Sequence, residues 1–324
     1  MKSKARFNGS NEELSKIFDL YKLKVLGVHP LDDGIINTSY RLDVGNGSKL
    51  VLRIYQNGNK TNDSIDKELD FMDRMRDAGI PIPKVLNNNL SEKLTIFKDL
   101  SQQEWQAIVM EFAEGRHLKP DDFDIISEFA AYQAKMHLAS AKLDKKSDKP
   151  DFKAMVDWMD KEFNEAKTKS ISKEVSGKVK AIYNELKQNI ELNYKEILAL
   201  PYGNVHLDYD SDNVILNNGK IKAILDFDDM SCQPFILDTA NSLWWWLFKN
   251  ESKNHKTILS AYFKSYNKIR EIADEEYEFF SLFLRMRNLT LMCLLYINIP
   301  EEVRYEKVNQ GIVLDPLLKQ VDKQ

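Results

Sequence analysis

The spacing of apolar residues divides the chain into two parts of different character. Ser10 followed by Glu13 is a capping box and predicts a short amphipathic helix through Tyr21. Tyr40–Val44 and Lys49–Tyr55 have strand composition and are joined by Gly45-Asn46-Gly47, a hairpin signal. Over Ser64–Asp77, Ile65, Leu69, Met72 and Met75 fall at helical spacing, and Gly79 with Pro81 beyond it ends the run. Leu94–Phe97 and Ala107–Phe112 predict two more strands. From Asp124 the pattern becomes helical: Ile126, Phe129, Gln133 and Met136 share one face of a helix ending near Ser140. A charged loop, Lys142–Lys149, leads to helices over 152–168 and 173–198. Strand signals return at Asn213–Asn217 and Ile221–Asp226, around the strong turn Asn218-Gly219. The chain past Asp238 is helical and aromatic. This is an α+β arrangement: a sheet-rich part over 1–112, then a helical part over 113–324 with one embedded hairpin.

Composition narrows the function. At 324 residues, 43% hydrophobic and 30% charged, the chain reads as a globular protein of about two domains. The net charge of −4 carries no basic excess, so neither nucleic acid nor an anionic membrane is an expected partner. Cys232 and Cys293 are too few for a disulfide framework and read as buried thiols of a reducing compartment. The basic start, Met1 to Phe7, is followed by no apolar run, and the apolar stretches near Trp244–Phe248 and Leu291–Ile299 are far shorter than a membrane helix. The expected location is the cytoplasm.

The chemistry concentrates in His206-Leu207-Asp208-Tyr209-Asp210-Ser211-Asp212-Asn213, followed after the hairpin by Leu225-Asp226-Phe227-Asp228. These residues fit the phosphoryl-transfer pattern H-x-D-x-x-x-x-N with a downstream D-F-x. Asp208 suits the group that takes the acceptor's hydroxyl proton. Asn213 and Asp226 offer an amide oxygen and a carboxylate to Mg²⁺, a hard cation, from the two strands of the hairpin. The alternative is a loop whose polar residues are only solvated or capping.

On these motifs the chain resembles the aminoglycoside phosphotransferase/choline kinase superfamily, densest between Val205 and Ala240. The resemblance implies a two-lobed protein-kinase-like fold, an ATP-dependent enzyme with GTP left open as donor, and Mg²⁺. Leu207 and Asp212 stand where that family commonly has Gly. It also implies roles upstream. Gly27–Tyr40, with Ser39, is similar to the loop that covers the nucleotide phosphates, and Arg53 takes the place of a strand Lys that contacts them. Arg pairs bidentately with phosphate but is not equivalent to Lys; a solvated strand charge is the alternative. Glu68 resembles the partner that orients that cation, in preference to Asp66 or Asp70. Met110 and Phe112 fall in the lobe connector, whose backbone would bond an adenine edge, and Asp238 resembles a residue that braces the catalytic loop.

The expected partner is a small-molecule hydroxyl acceptor. Asp210, Asp212, Asp228 and Asp229 make the acceptor mouth locally negative, which favours cations. One of Trp244–Trp246, or Tyr209, would offer a π face to an ammonium group. Arg285 and Arg287 are placed to reach a carboxylate, with surface positions as the alternative. The reading is an acceptor with both an amine and an alcohol: an amino sugar, an amino alcohol or a hydroxy amino acid. A nucleotide-binding pseudokinase is the competing reading, supported only by Arg53. A protein kinase is disfavoured because the glycine-rich signature is missing.

Overall fold

The computed structural model describes residues 6–31, 36–143, 149–167, 173–298 and 301–321. The chain divides into two compact units, Met1–Arg116 with Lys222–Leu225, and His117–Ile221 with Asp226–Gln324.

The first unit opens with helix α1 (Asn11–Leu20), capped as its sequence predicts. The Ser10 N–H donates to the Glu13 carboxylate at 2.6 Å, and the Ser10 hydroxyl accepts from the Glu13 N–H. Strands β1 (Val25–Leu31), β2 (Thr38–Val44) and β3 (Lys49–Ile54) follow, then helix α2 (Asn62–Asp77) and strands β4 (Thr95–Lys98) and β5 (Glu104–Glu111). The strands form one antiparallel sheet in the order β1-β2-β3-β5-β4. Leu42, Leu52, Ile54, Ala107 and Val109 pack with Leu14 and Ile17 of α1, and Phe7 meets Phe97 and Trp105 edge-on. Helix α2 begins at Asn62, ahead of the expected Ser64, because Thr61 caps it. The Ser64 N–H reaches the Thr61 hydroxyl, and the Thr61 N–H reaches the Ser64 hydroxyl at 3.0 Å.

One expectation changes here. Gly27–Leu31 and Ser39, placed in a phosphate-covering loop by resemblance, are strand residues: Gly27 pairs with Asp43, and Leu31 with Ser39. Ladder bonding to β2 extends that far along the chain. Residues 32–35 of that expected loop, and 144–148 of the expected surface loop, lie outside the described residues.

Short strand β6 (Arg116–His117) leads to helices α3 (Ile126–Leu143), α4 (Phe152–Ala166), α5 (Lys173–Leu192) and α6 (Tyr194–Ala199). The single helix expected over 173–198 is thus two, parted at Asn193. Strand β7 (Tyr202–Val205) precedes the hairpin β8 (Val214–Asn217) and β9 (Lys220–Ile224), and β10 (Ser231–Pro234) follows it. Asn218 and Gly219 sit at φ 51° and 71°, the left-handed pair a two-residue hairpin turn demands. Strands β7 and β10 pair antiparallel, with Val205 opposite Ser231. Helices α7 (Phe235–Lys249), α8 (Ser252–Tyr266), α9 (Asp274–Asn298) and α10 (Glu301–Leu318) complete the unit. Among the described residues no helix is long and apolar enough to cross a membrane.

Helix α7 is buried from Phe235 to Phe248, as befits a helix apolar on every side. The expected π face is therefore not there. Trp244, Trp245 and Trp246 are all core, with the Trp244 indole N–H donating to Asn288 at 3.0 Å. Tyr209 is also core, stacked on Phe129 with 4.0 Å between ring centroids.

A charged group lies inside this apolar interior. Asp238 accepts from the Leu207 N–H at 2.6 Å, from Gln133 Nε2 at 2.6 Å and from His137 Nε2 at 2.8 Å. His137 Nδ1 in turn takes the Tyr266 hydroxyl at 2.6 Å, so the partners select the neutral Nε2–H tautomer. Burial alone pushes the Asp238 carboxyl up, but the bonds from His137 and Gln133 hold it below its ordinary value of 3.8. Burial lowers His137 in the same way, against the pull of Asp238.

A carboxyl held low in the folded state contributes stability that is complete above its unfolded value and lost as pH falls through the folded one. Asp238→Ala strands the buried Leu207 N–H and His137 Nε2–H and should cost about 3–5 kcal/mol, read as a lower urea midpoint. Asp238→Asn should cost less and should flatten the acid side of the stability profile. An unchanged acid profile would show that Asp238 does not carry this charge.

Candidate active site

The loop after β7 turns sharply because Leu207 sits at φ 66°, a left-handed conformation that a branched residue adopts only when its surroundings enforce it. Two residues of α7 grip its peptide: Asp238 takes the N–H, and Asn241 Nδ2 donates to the carbonyl at 3.2 Å. The His206 ring fills the inner side of the turn, 4.4 Å from Phe227. Asp208, the next residue after Leu207, emerges half-buried from a fixed backbone.

Two side chains converge on Asp208. Asn213 Nδ2 donates to its backbone carbonyl at 2.8 Å and to Oδ2 at 3.0 Å. Arg287 of α9 donates from Nη2 to Oδ1 at 2.8 Å. With its NH₂ committed to Asp208, Asn213 presents its amide oxygen as the acceptor end. Asn213 and Asp226 do not lie on the hairpin strands as expected. Asn213 is in the turn before β8, and Asp226 follows β9 at φ 60°. A non-glycine residue held left-handed is strain of the kind that gathers at functional sites. Here it re-aims an exposed carboxylate that a regular strand would have placed by its pleat.

The acids around Asp208 repel one another. Asp210 accepts from the Asp212 N–H at 2.9 Å, and desolvation together with the charge of Asp208 raises its carboxyl. Asp229 is raised by partial desolvation and by Asp208, Asp226 and Asp228. Such mutual repulsion suits a place where a cation binds. Among the described residues no group of three or more His, Cys, Asp or Glu side chains forms a metal cage. Mg²⁺ is commonly held by one or two carboxylates and the substrate's phosphates, so Asn213 and Asp226 fit that ion without a full cage.

In the first unit, Arg53 lies on β3 opposite Ser39 of β2 and Ile108 of β5. It is only 8% exposed, with its guanidinium 5.5 Å from the Tyr55 ring centroid, so it is no solvated strand charge. Glu68 on α2 is 1% exposed and accepts from the Tyr55 hydroxyl at 3.2 Å, while Asp66 and Asp70 are exposed. Lys60 pairs with Glu68 at 2.6 Å, a cation the sequence reading passed over. Met110 is buried on β5 opposite Val51 and bridges to Val85. The Phe112 N–H, expected to face an adenine edge, donates to the Lys49 carbonyl at 3.3 Å.

The two arginines named for a carboxylate part company. Arg285 is buried in a clasp, with Nε and Nη2 on Asp315 at 3.0 and 3.1 Å and Nη1 and Nη2 on Glu185 at 3.1 Å. It holds α9, α10 and α5 together and is not part of the site. Arg287 is part of it, and its guanidinium lies 5.8 Å from the ring centroid of Trp158 on α4. Trp158, half-buried, is the aromatic that sequence reasoning missed. Nothing in the periodicity of α4 distinguishes it from a core position.

The chain is similar to known proteins over most of its length. The family model described as phosphotransferase enzyme family (APH) matches residues 27–272. The homoserine kinase of Bartonella tribocorum is 23% identical over 270 residues, 83% of this chain and 80% of that one. That of Gluconobacter oxydans is 31% identical over 90 residues, 28% of each chain. Among solved structures, a microcompartment-associated aminopropanol kinase superposes with a TM-score of 0.77 at 15% identity, covering 96% of this chain and 97% of that one. An amicoumacin kinase in complex with AMP-PNP, Ca²⁺ and Ami does so with a TM-score of 0.74 at 21% identity, covering 98% and 94%. With three quarters of its length matched and the α+β fold shared, this chain belongs to the phosphotransferase enzyme family.

Proposed function

We propose that this kinase moves the γ-phosphoryl group of ATP onto the hydroxyl of an amine-bearing small molecule, with Mg²⁺ on the phosphates. The observation that carries the reading is Asp208 itself. A carboxylate on a clamped, left-handed turn, bonded by Asn213, is a fixed proton acceptor for a hydroxyl group. The acceptor oxygen attacks the γ-phosphorus, the bond from that phosphorus to the β–γ bridging oxygen breaks, and ADP leaves with that oxygen. The hydroxyl proton passes to Asp208. Mg²⁺, held by Asn213 and Asp226, would neutralise charge on the phosphate oxygens.

Arg53, buried and charged, is assigned to the nucleotide phosphates with Ser39 beside it on the ladder and Glu68 to orient it. The chain around Met110 and Phe112 is assigned to the base through backbone groups other than the Phe112 N–H, which Lys49 occupies. The acids Asp210, Asp228 and Asp229 favour a cationic acceptor. Homoserine and aminopropanol each bear an amine and an alcohol, and the relatives named for them support the same choice here. The pseudokinase reading gains nothing, since Asp208, Asn213 and Asp226 are all in place.

The direct test is ADP release over a panel of amino sugars, amino alcohols and hydroxy amino acids against neutral sugars. Phosphorylation confined to neutral sugars would sink the amine assignment. Asp208→Asn should lower turnover by ~100-fold or more while leaving ATP affinity nearly unchanged; near-normal turnover would remove Asp208 from the mechanism. Asp226→Ala should abolish the Mg²⁺-dependent part of ATP binding in calorimetry, with Asn213→Ala weaker in the same direction. Arg53→Ala should weaken ATP by ~10-fold or more and adenosine far less, because only the first carries phosphate charge; equal weakening would return Arg53 to a structural role.

A further inference from the structure

Arg287 makes an incomplete interaction. A guanidinium offers its Nε–H and one Nη–H as a parallel fork that matches the two oxygens of a carboxylate. Here Asp208 takes only Nη2, at 2.8 Å. Its other oxygen already accepts from Asn213, so it cannot turn to fill the fork. Arg287 Nε is left buried and without a hydrogen-bond partner. An unmet buried donor is costly, about 1–3 kcal/mol and more on a charged group.

The surroundings single out this arginine. Its side chain is 11% exposed against 35% for Asp208, so the pair opens to solvent on the aspartate's side. Arg285, two positions earlier on α9, has every fork position used by Asp315 and Glu185. Trp158 lies beside the Arg287 guanidinium and restricts its approach. The half-filled fork therefore stands where a molecule delivering a hydroxyl to Asp208 must sit.

We infer that Arg287 is a specificity residue that reads a carboxylate on the acceptor, which makes the acceptor a hydroxy amino acid. This rests on the phosphotransfer reading above and narrows it. When the acceptor enters, its carboxylate takes both Nε and Nη2, and Arg287 gives up Asp208. The freed Oδ1 then faces the incoming hydroxyl. The acceptor's ammonium meets Asp210 and Asp229, so each end of an amino acid finds its opposite charge. An alcohol lacking the carboxylate leaves the fork half empty and Asp208 still bonded. Arg287 thus makes the availability of the proton acceptor depend on the acceptor's own acid group.

The test compares homoserine with 3-aminopropan-1-ol, the same amino alcohol without its carboxyl group, in the full-length protein and its Arg287→Gln and Arg287→Lys variants. Steady-state kinetics with ATP and calorimetry of each acceptor are both read, and thermal melts check that the variants fold. The wild type should prefer homoserine. Arg287→Gln should reduce the homoserine-to-aminopropanol ratio of kcat/KM by ~30-fold or more, chiefly through KM. Arg287→Lys, which keeps the charge and loses the fork, should fall between. Equal losses on both acceptors would overturn the inference, because Arg287 would then act only through Asp208 or the phosphates. So would a wild type that binds aminopropanol as tightly as homoserine. If the wild type phosphorylates neither compound, homoserine and its decarboxylated analogue are not acceptors, and the phosphotransfer reading is judged separately on the wider acceptor panel. Calorimetric binding of homoserine, lost in Arg287→Gln or not, still decides the role of the fork.

Discussion

A buried carboxylate has to be fully answered by hydrogen bonds, and the second unit is arranged around that requirement. Asp238 sits in a helix with no polar face, where an unpaired charge would be ruinous. Its partners come from α3, from the loop after β7 and, through His137, from α8. Satisfying it fixes where α3 and α8 lie against α7 and holds the Leu207 peptide in a conformation leucine does not choose. The neighbouring carboxylate, Asp208, takes its position from that peptide. The interior charge pays for the geometry of the outer one.

Asp208 is therefore gripped from below by the loop and from the side by two donors of different kinds. Asn213 is neutral and local, arriving with the same loop. Arg287 is charged and comes from a helix much later in the chain. A local amide can be specified by a short motif. A distant guanidinium cannot. That division of labour suits a fold that retains one phosphoryl-transfer chemistry while its acceptors differ.

The sequence is legible where the physics is local. The capping box at Ser10, the hairpin at Asn218-Gly219 and the apolar face of α2 each depend on a few neighbouring residues. Strands β7 and β10 were missed because each is four residues long and acquires its identity only by pairing with the other. Tyr209 and the three tryptophans resemble ligand surfaces in the sequence because an aromatic side chain looks the same there whether it is buried or not. The motif carrying Asp208, Asn213 and Asp226 was legible, but its geometry was not. Positive φ at Leu207 and Asp226 violates local preference, and only tertiary contacts can enforce it. Arg285 and Arg287 looked alike on one helix, and what separates them is Asp315 and Glu185 on one side and Asp208 on the other.

The Arg285 clasp also bears on how the chain can be handled. Its guanidinium is shared between Glu185 of α5 and Asp315 near the end of α10, and Lys319 binds the same Glu185. Any shortened version that stops before Asp315 would leave a buried cation with half its counter-charge and bare the face of α9 that α10 covers. A boundary drawn at residue 272, where the family match stops, would yield a protein lacking α9 itself, and with it Arg287.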